Sequence, residues 1–269
     1  MPRLKPTIAD LRARKGKGQY TMLRVMTLDE AAAAEQAGID IVSVPDTLVT
    51  HPRYRDVAPS LFSMTGQTHL EAGTRDDYLR WSCKVMQAGA DAVYCSGGLG
   101  TVEYLAREHI PVVGHVGLVP SRATWTGGMK AVAKTAVAAA ALLDEVRAYE
   151  AAGAFALEIE VVPVEVASEI SRRVGILLWS MGAGPGCDAQ YLFAEDILGA
   201  NRGHMPRHSK VYRNFAAEYD RLQVERVAAL REFIADVASG TYPQDKHLVK
   251  MTAAEMSAFQ ASLKSGSPG

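Results

Sequence analysis

Ala151-Ala-Gly-Ala-Phe-Ala-Leu-Glu-Ile-Glu, residues 151–160, joins a helix stop directly to a buried strand. Glycine supplies the left-handed backbone that ends a helix, and an apolar run follows at once. Side chains alternate along a strand, so Glu158 and Glu160 share one side of it. The same junction recurs in Gln36-Ala-Gly-Ile-Asp and Gln87-Ala-Gly-Ala-Asp. Repeated "Ala-Gly, then strand" units predict alternating helices and parallel strands. On periodicity alone, an open doubly wound sheet and a closed barrel fit equally well.

Outward from this stretch, apolar runs alternate with helix-period segments. Strands are predicted at Thr21–Val25, Ile39–Val44, Leu61–Thr65, Ala92–Cys95, Pro111–Gly114, Phe155–Glu160 and Ile176–Met181, with the eighth near Ile197–Asn201. Helices are expected over Leu28–Ala37, Arg75–Ala88, Val102–Glu108, Ala136–Ala152 and Phe215–Ser239. Ile39–Val44 is nearly all apolar, as a parallel strand covered on both faces requires. No Pro/Gly/Ser-rich linker or low-complexity block interrupts residues 1–269, which read as one domain with C-terminal helices.

The chain has 269 residues, close to the ~250 that a (β/α)8 barrel uses. Its net charge of −1 is spread evenly, giving no basic patch for nucleic acid or an anionic membrane. The start, Met1-Pro-Arg-Leu-Lys-Pro, lacks a secretory apolar run, and no stretch has the length of a membrane span. Cys83, Cys95 and Cys187 are too few and scattered for a disulfide framework. A cytoplasmic enzyme is the expectation.

In a parallel barrel, chemistry sits where strands end. Those positions hold Asp46-Thr47, Tyr94-Cys95-Ser96-Gly97-Gly98, Gly114-His115, Glu158 with Glu160, and Gly182-Ala183-Gly184. Glu160 closes its strand and can reach a site, or it can meet solvent or a cation at the rim. Asp46 can ligate or simply cap a turn after Pro45. His115 can act in a site or be a hydrogen-bonded core residue. The glycines can expose backbone N–H groups to an anion or merely satisfy turn geometry.

The order and wording of these loops resemble the ketopantoate hydroxymethyltransferase family of the phosphoenolpyruvate/pyruvate barrel superfamily. The likeness runs from Thr7-Ile-Ala-Asp-Leu to about His247. Its most specific pieces are Pro111-Val-Val-Gly-His-Val-Gly-Leu-Val-Pro, Thr126-Gly-Gly-Met-Lys, Leu157-Glu-Ile-Glu-Val-Val-Pro-Val-Glu-Val and Met181-Gly-Ala-Gly-Pro-Gly-Cys-Asp-Ala-Gln. Gly203-His-Met-Pro-Arg-His-Ser-Lys and Gly240-Thr-Tyr-Pro complete it. The resemblance implies a closed (β/α)8 barrel and transfer of a hydroxymethyl unit to the enolate of a small 2-oxo acid, as in pantothenate biosynthesis. It further implies methylenetetrahydrofolate as one-carbon donor, Mg²⁺ or another divalent ion, and a homo-oligomer. It places Glu160 as general base, Asp46 on the metal, and Thr47 and His115 beside the oxo acid.

Two signature segments differ from the family's pattern. Where its third strand ends in Ala-Asp-Leu-Pro-Phe, this chain has Gly66 at the metal-binding acidic position. Where its fourth reads Lys-Ile-Glu-Gly-Gly, this chain reads Tyr94-Cys95-Ser96-Gly97-Gly98. A lysine, an outer carboxylate and a direct carboxylate are thus replaced. Three consequences are open at this point. Another metal can be held with help from Gln67, His69 or Cys95; Tyr94, Ser96 and His115 can stabilise an enolate by hydrogen bonds; or the chain can serve as a silent paralogue. A C–C lyase or hydrolase on a related oxo acid is the alternative enzyme.

Overall fold

The computed structural model describes residues 3–66 and 72–265, with the side chains of 264 and 265 left out. Contacts divide it into two compact units, Met1–Asn214 and Phe215–Gly269.

The first unit is built on eight parallel strands: β1 Tyr20–Arg24, β2 Ile41–Pro45, β3 Phe62–Gly66, β4 Ala92–Tyr94, β5 Val112–Gly117, β6 Ala156–Glu160, β7 Leu177–Met181 and β8 Ala189–Phe193. They follow one another around a closed barrel, and β8 pairs with β1 from Tyr20–Ala189 to Arg24–Phe193. Closure leaves no unpaired sheet edge. It also decides between the two architectures that periodicity left open.

The junction glycines do what their sequence context predicts. Gly38, Gly89 and Gly153 all have positive φ, and each is followed within a few residues by β2, β4 or β6. Threonines start the intervening helices: Thr27, Thr74 and Thr135 each accept an N–H from the first turn.

Burial sorts the strand residues by alternation. One apolar cluster lies inside the barrel and includes Tyr20, Met22, Ile41, Phe62, Met64, Val113, Leu177 and Trp179. The other lies between strands and helices and includes Val42, Val44, Val93, Cys95, Val116, Leu157 and Leu178. Phe155 and Trp179 meet edge to face at 5.8 Å inside the barrel.

The eighth strand departs from the sequence reading. It occupies Ala189–Phe193, and Ile197 instead ends a short helix, Ala194–Ile197. Only residues 182–188 separate it from β7, so no crossover helix announces it. Close approach makes the turn possible: a Cβ on Gly186 would fall 2.0 Å from Ser168 Oγ, and one on Gly184 2.3 Å from Val164 Cγ2.

The second unit contains helices Phe215–Ser239 and Ala253–Ser265. Tyr242 packs at its ring edge on Phe233 and tilts onto His247, with centroids 5.6 and 5.1 Å away. No helix among the described residues is long and apolar enough to cross a membrane.

Trp179 is wholly buried, with its indole Nε1 unpartnered. Trp179→Ala is expected to cost about 3–5 kcal/mol, the range for emptying an aromatic core position. Urea unfolding checks this; a loss below roughly 1 kcal/mol would show that the barrel interior collapses around the gap.

Candidate active site

A cavity of about 1330 Å³ opens at the carboxyl ends of the strands. Its deep lining comes from the last inward-facing residue of several strands: Arg24, Pro45, Gly66, Tyr94 and Glu160, with His115 and Glu158 one step further in. A parallel barrel collects side chains from distant parts of the sequence in this way.

His115 is the centre of the polar group. It is only 5% exposed, and its ring lies in register with Glu158 on β6. Its Nδ1 is 3.0 Å from the Tyr94 hydroxyl and 3.6 Å from Glu158 Oε2. Its Nε2 is 3.2 Å from Glu160 Oε2, yet the geometry makes no hydrogen bond there. A buried ring nitrogen with an unmet partner is costly unless something else engages it.

Glu160 is held firmly from behind. Its carbonyl accepts Leu118 N–H at 2.8 Å, and Gly117 lies so close that a Cβ there would sit 2.3 Å from that carbonyl. Val161 follows with φ 49°, an unusual backbone for a β-branched residue. Its N–H donates to Met181 at 2.8 Å, which pins the strained turn leading into the helix Val164–Arg173.

Burial pushes the Glu158 carboxyl up to about 7, the nearby Glu160 adding to the effect and His115 and Arg24 opposing it. Burial likewise raises the Tyr94 phenol, which therefore stays a protonated donor at neutral pH.

Asp46 begins the short helix Asp46–Val49, faces the cavity and accepts Trp81 Nε1–H at 3.4 Å. Ser96 also lines the cavity, with its hydroxyl 3.0 Å from that of Tyr78. Asp46, Tyr94, Ser96, His115 and Glu160 are thus brought to one cavity. Thr47 is not: its side chain is exposed and absent from the lining, because the helix turns it away from the face that Asp46 occupies. Cys95 is excluded too, since alternation sends it into the helix layer, where burial raises its thiol to about 11. Gln67 and His69 fall outside the described residues.

Sequence reading missed Arg24 altogether. The signal was present as a lone charge on the inner face of β1, two residues beyond Met22 and four beyond Tyr20. Glu158, read only as the neighbour of Glu160, proves to be the carboxylate in register with His115.

The described residues do not fit a divalent ion of the family's kind. No three His, Cys, Asp or Glu side chains among them converge as a metal site. Magnesium asks for several hard oxygen ligands. At position 66 a Cβ would stand 3.0 Å from Tyr94 Cδ1, so an acidic side chain there would begin in tight contact with the tyrosine ring.

Glu158 ties stability to pH. Its carboxyl is raised in the folded state above its ordinary 4.5, so the protonated form is favoured by folding. That contribution is complete below pH 4.5 and is lost as pH rises through about 7. Glu158→Gln should therefore gain stability over the parent at pH 8 relative to pH 5, by roughly 3 kcal/mol. Thermal melts at both values test this; an equal difference at the two would exclude a buried titrating carboxyl.

A family model for ketopantoate hydroxymethyltransferase matches residues 69–245. The 3-methyl-2-oxobutanoate hydroxymethyltransferase of Pyrobaculum aerophilum is 35% identical over 258 residues, spanning 87% of this chain and 95% of its own. The enzyme of the same name from Halalkalibacterium halodurans is 31% identical, spanning 91% and 94%. A solved structure from Burkholderia cenocepacia J2315, provisionally designated a lyase/mutase, superposes with TM-score 0.50 at 11% identity, over 68% of this chain and 82% of that one. That likeness is one of fold. The agreement in sequence runs through β4 to β8 and includes the strands that carry His115 and Glu160, so this chain belongs to the ketopantoate hydroxymethyltransferase family.

Proposed function

We propose that the protein transfers a hydroxymethyl unit to the enolate of a small 2-oxo acid, with Glu160 as the general base. The observation that carries this reading is Glu160 Oε2 beside the unpartnered His115 Nε2 in a strand-end cavity. Proton removal next to a ketone needs a base at the carbon and a donor at the oxygen where charge develops. Glu160 fills the first role. Tyr94 and His115 fill the second, and Ser96 and Asp46 shape the pocket around them.

The named activity of the relatives supports 3-methyl-2-oxobutanoate as the acceptor, and the family resemblance implies methylenetetrahydrofolate as one-carbon donor. Lys130, Lys134 and Arg207 at the cavity wall suit a donor that carries carboxylates. No step is assigned to a divalent ion, because the described residues do not fit one. A cytoplasmic, homo-oligomeric enzyme belongs to the same reading.

Exchange of the C3 hydrogen of 3-methyl-2-oxobutanoate in D₂O, followed by proton NMR, isolates the first step. Glu160→Gln is expected to slow exchange roughly 100- to 10,000-fold, the usual contribution of a positioned base. Full exchange in that variant would move the base elsewhere, with Glu158 next to be substituted.

A further inference from the structure

Arg24 offers the cavity a permanent positive charge. It is the last residue of β1 and lies in register with Ser43 on β2. Its Nη1 donates to Ser43 Oγ at 3.2 Å, and the buried Tyr191 lines the same cavity. Glu158 and Glu160 flank His115, and no ion pair joins Arg24 to a carboxylate among the described residues. A guanidinium has five N–H donors in a planar fork. Ser43 engages one donor of that fork and orients it. A half-buried cation so held, in direct contact with no carboxylate among the described residues, suits an incoming carboxylate, which it can grip through two parallel hydrogen bonds.

The hydrogen-bond donors complete the arrangement. Tyr94 crowds the position where a side chain at 66 would begin, and its hydroxyl stands 3.0 Å from His115 Nδ1. The residue packed against Gly66 thus itself supplies an O–H group to the cavity.

We infer that Arg24 binds the carboxylate of the 2-oxo acid while Tyr94, backed by His115, donates to its keto oxygen, so that enolisation here needs no divalent ion. The inference rests on the function proposed above. In the step, the C3–H bond breaks and its proton passes to Glu160. The bonding pair forms the C2–C3 double bond, and the carbonyl π pair moves onto oxygen, where the Tyr94 O–H hydrogen bond meets the charge. Return of a solvent-exchanged deuteron from Glu160 to C3 reverses these movements and labels the substrate.

The test uses the whole chain, stripped with EDTA and desalted, and follows C3 exchange of 3-methyl-2-oxobutanoate. The parent should exchange at a rate that changes less than about twofold on adding either EDTA or Mg²⁺. Arg24→Ala should raise KM roughly 10- to 100-fold with a smaller change in kcat, as expected for loss of hydrogen bonds to a charged group. Arg24→Lys should fall between them, because it keeps the charge and loses the fork. Tyr94→Phe should lower kcat instead. The methyl ester of the oxo acid, which lacks the carboxylate charge, should show the same KM in the parent and Arg24→Ala.

Exchange abolished by EDTA and restored by Mg²⁺ would overturn the inference and leave the proposed function standing. So would an unchanged KM in Arg24→Ala. No exchange in the parent under any metal condition would overturn both. The parent's response to metal requires no substitution, so it decides the matter even where a variant does not fold.

Discussion

Two carboxylates of one strand bracket a single buried imidazole, and the barrel gives none of the three groups another place to go. β5 and β6 are locked in register from Val113–Ala156 to Gly117–Glu160, which sets His115 beside Glu158. Period-two alternation then brings Glu160 to the same face, nearer the mouth. A slip of one residue would send both glutamates into the apolar layer under the helices, where isolated charges cost several kcal/mol each. The close seat of Gly117 against the Glu160 carbonyl and the pinned turn at Val161 oppose such a slip. Packing and chemistry therefore share one constraint.

Charge balance follows from that cluster. Glu158 resists ionisation because it is buried and faces Glu160, so the floor of the cavity carries less negative charge than its residue types suggest. Arg24 lies on another arc of the lining and is steadied by the neutral Ser43 hydroxyl rather than by a direct ion pair. Its electrostatic attraction is then available to an anion from solvent, in a confined space where water screens it poorly.

Much of this was legible in the chain itself. The glycine junctions at Gly38, Gly89 and Gly153 gave the αβ repeat, because a left-handed stop is a local demand that few residues meet. Family wording then identified Asp46, His115 and Glu160 as neighbours. What local patterns could not reveal depended on closure. Ala189–Phe193 has no helix ahead of it to mark it as a strand, and it becomes one by pairing with Tyr20–Arg24 at the far end of the unit. Arg24 gains meaning only when that pairing turns β1 inward. Thr47 shows the reverse case: a hydroxyl in the expected place in the sequence, rotated outward by one short helical turn.

Tyr94 against Gly66 ties two strand-end positions together. With the ring in place, an acidic residue at 66 has no room for its first carbon unless the tyrosine shifts. Exchanging the tyrosine first would strip the His115 cluster of its hydroxyl before any ion-binding group had arrived. The two positions are thus coupled across neighbouring strands, and the cost of a change at one depends on which side chain stands at the other.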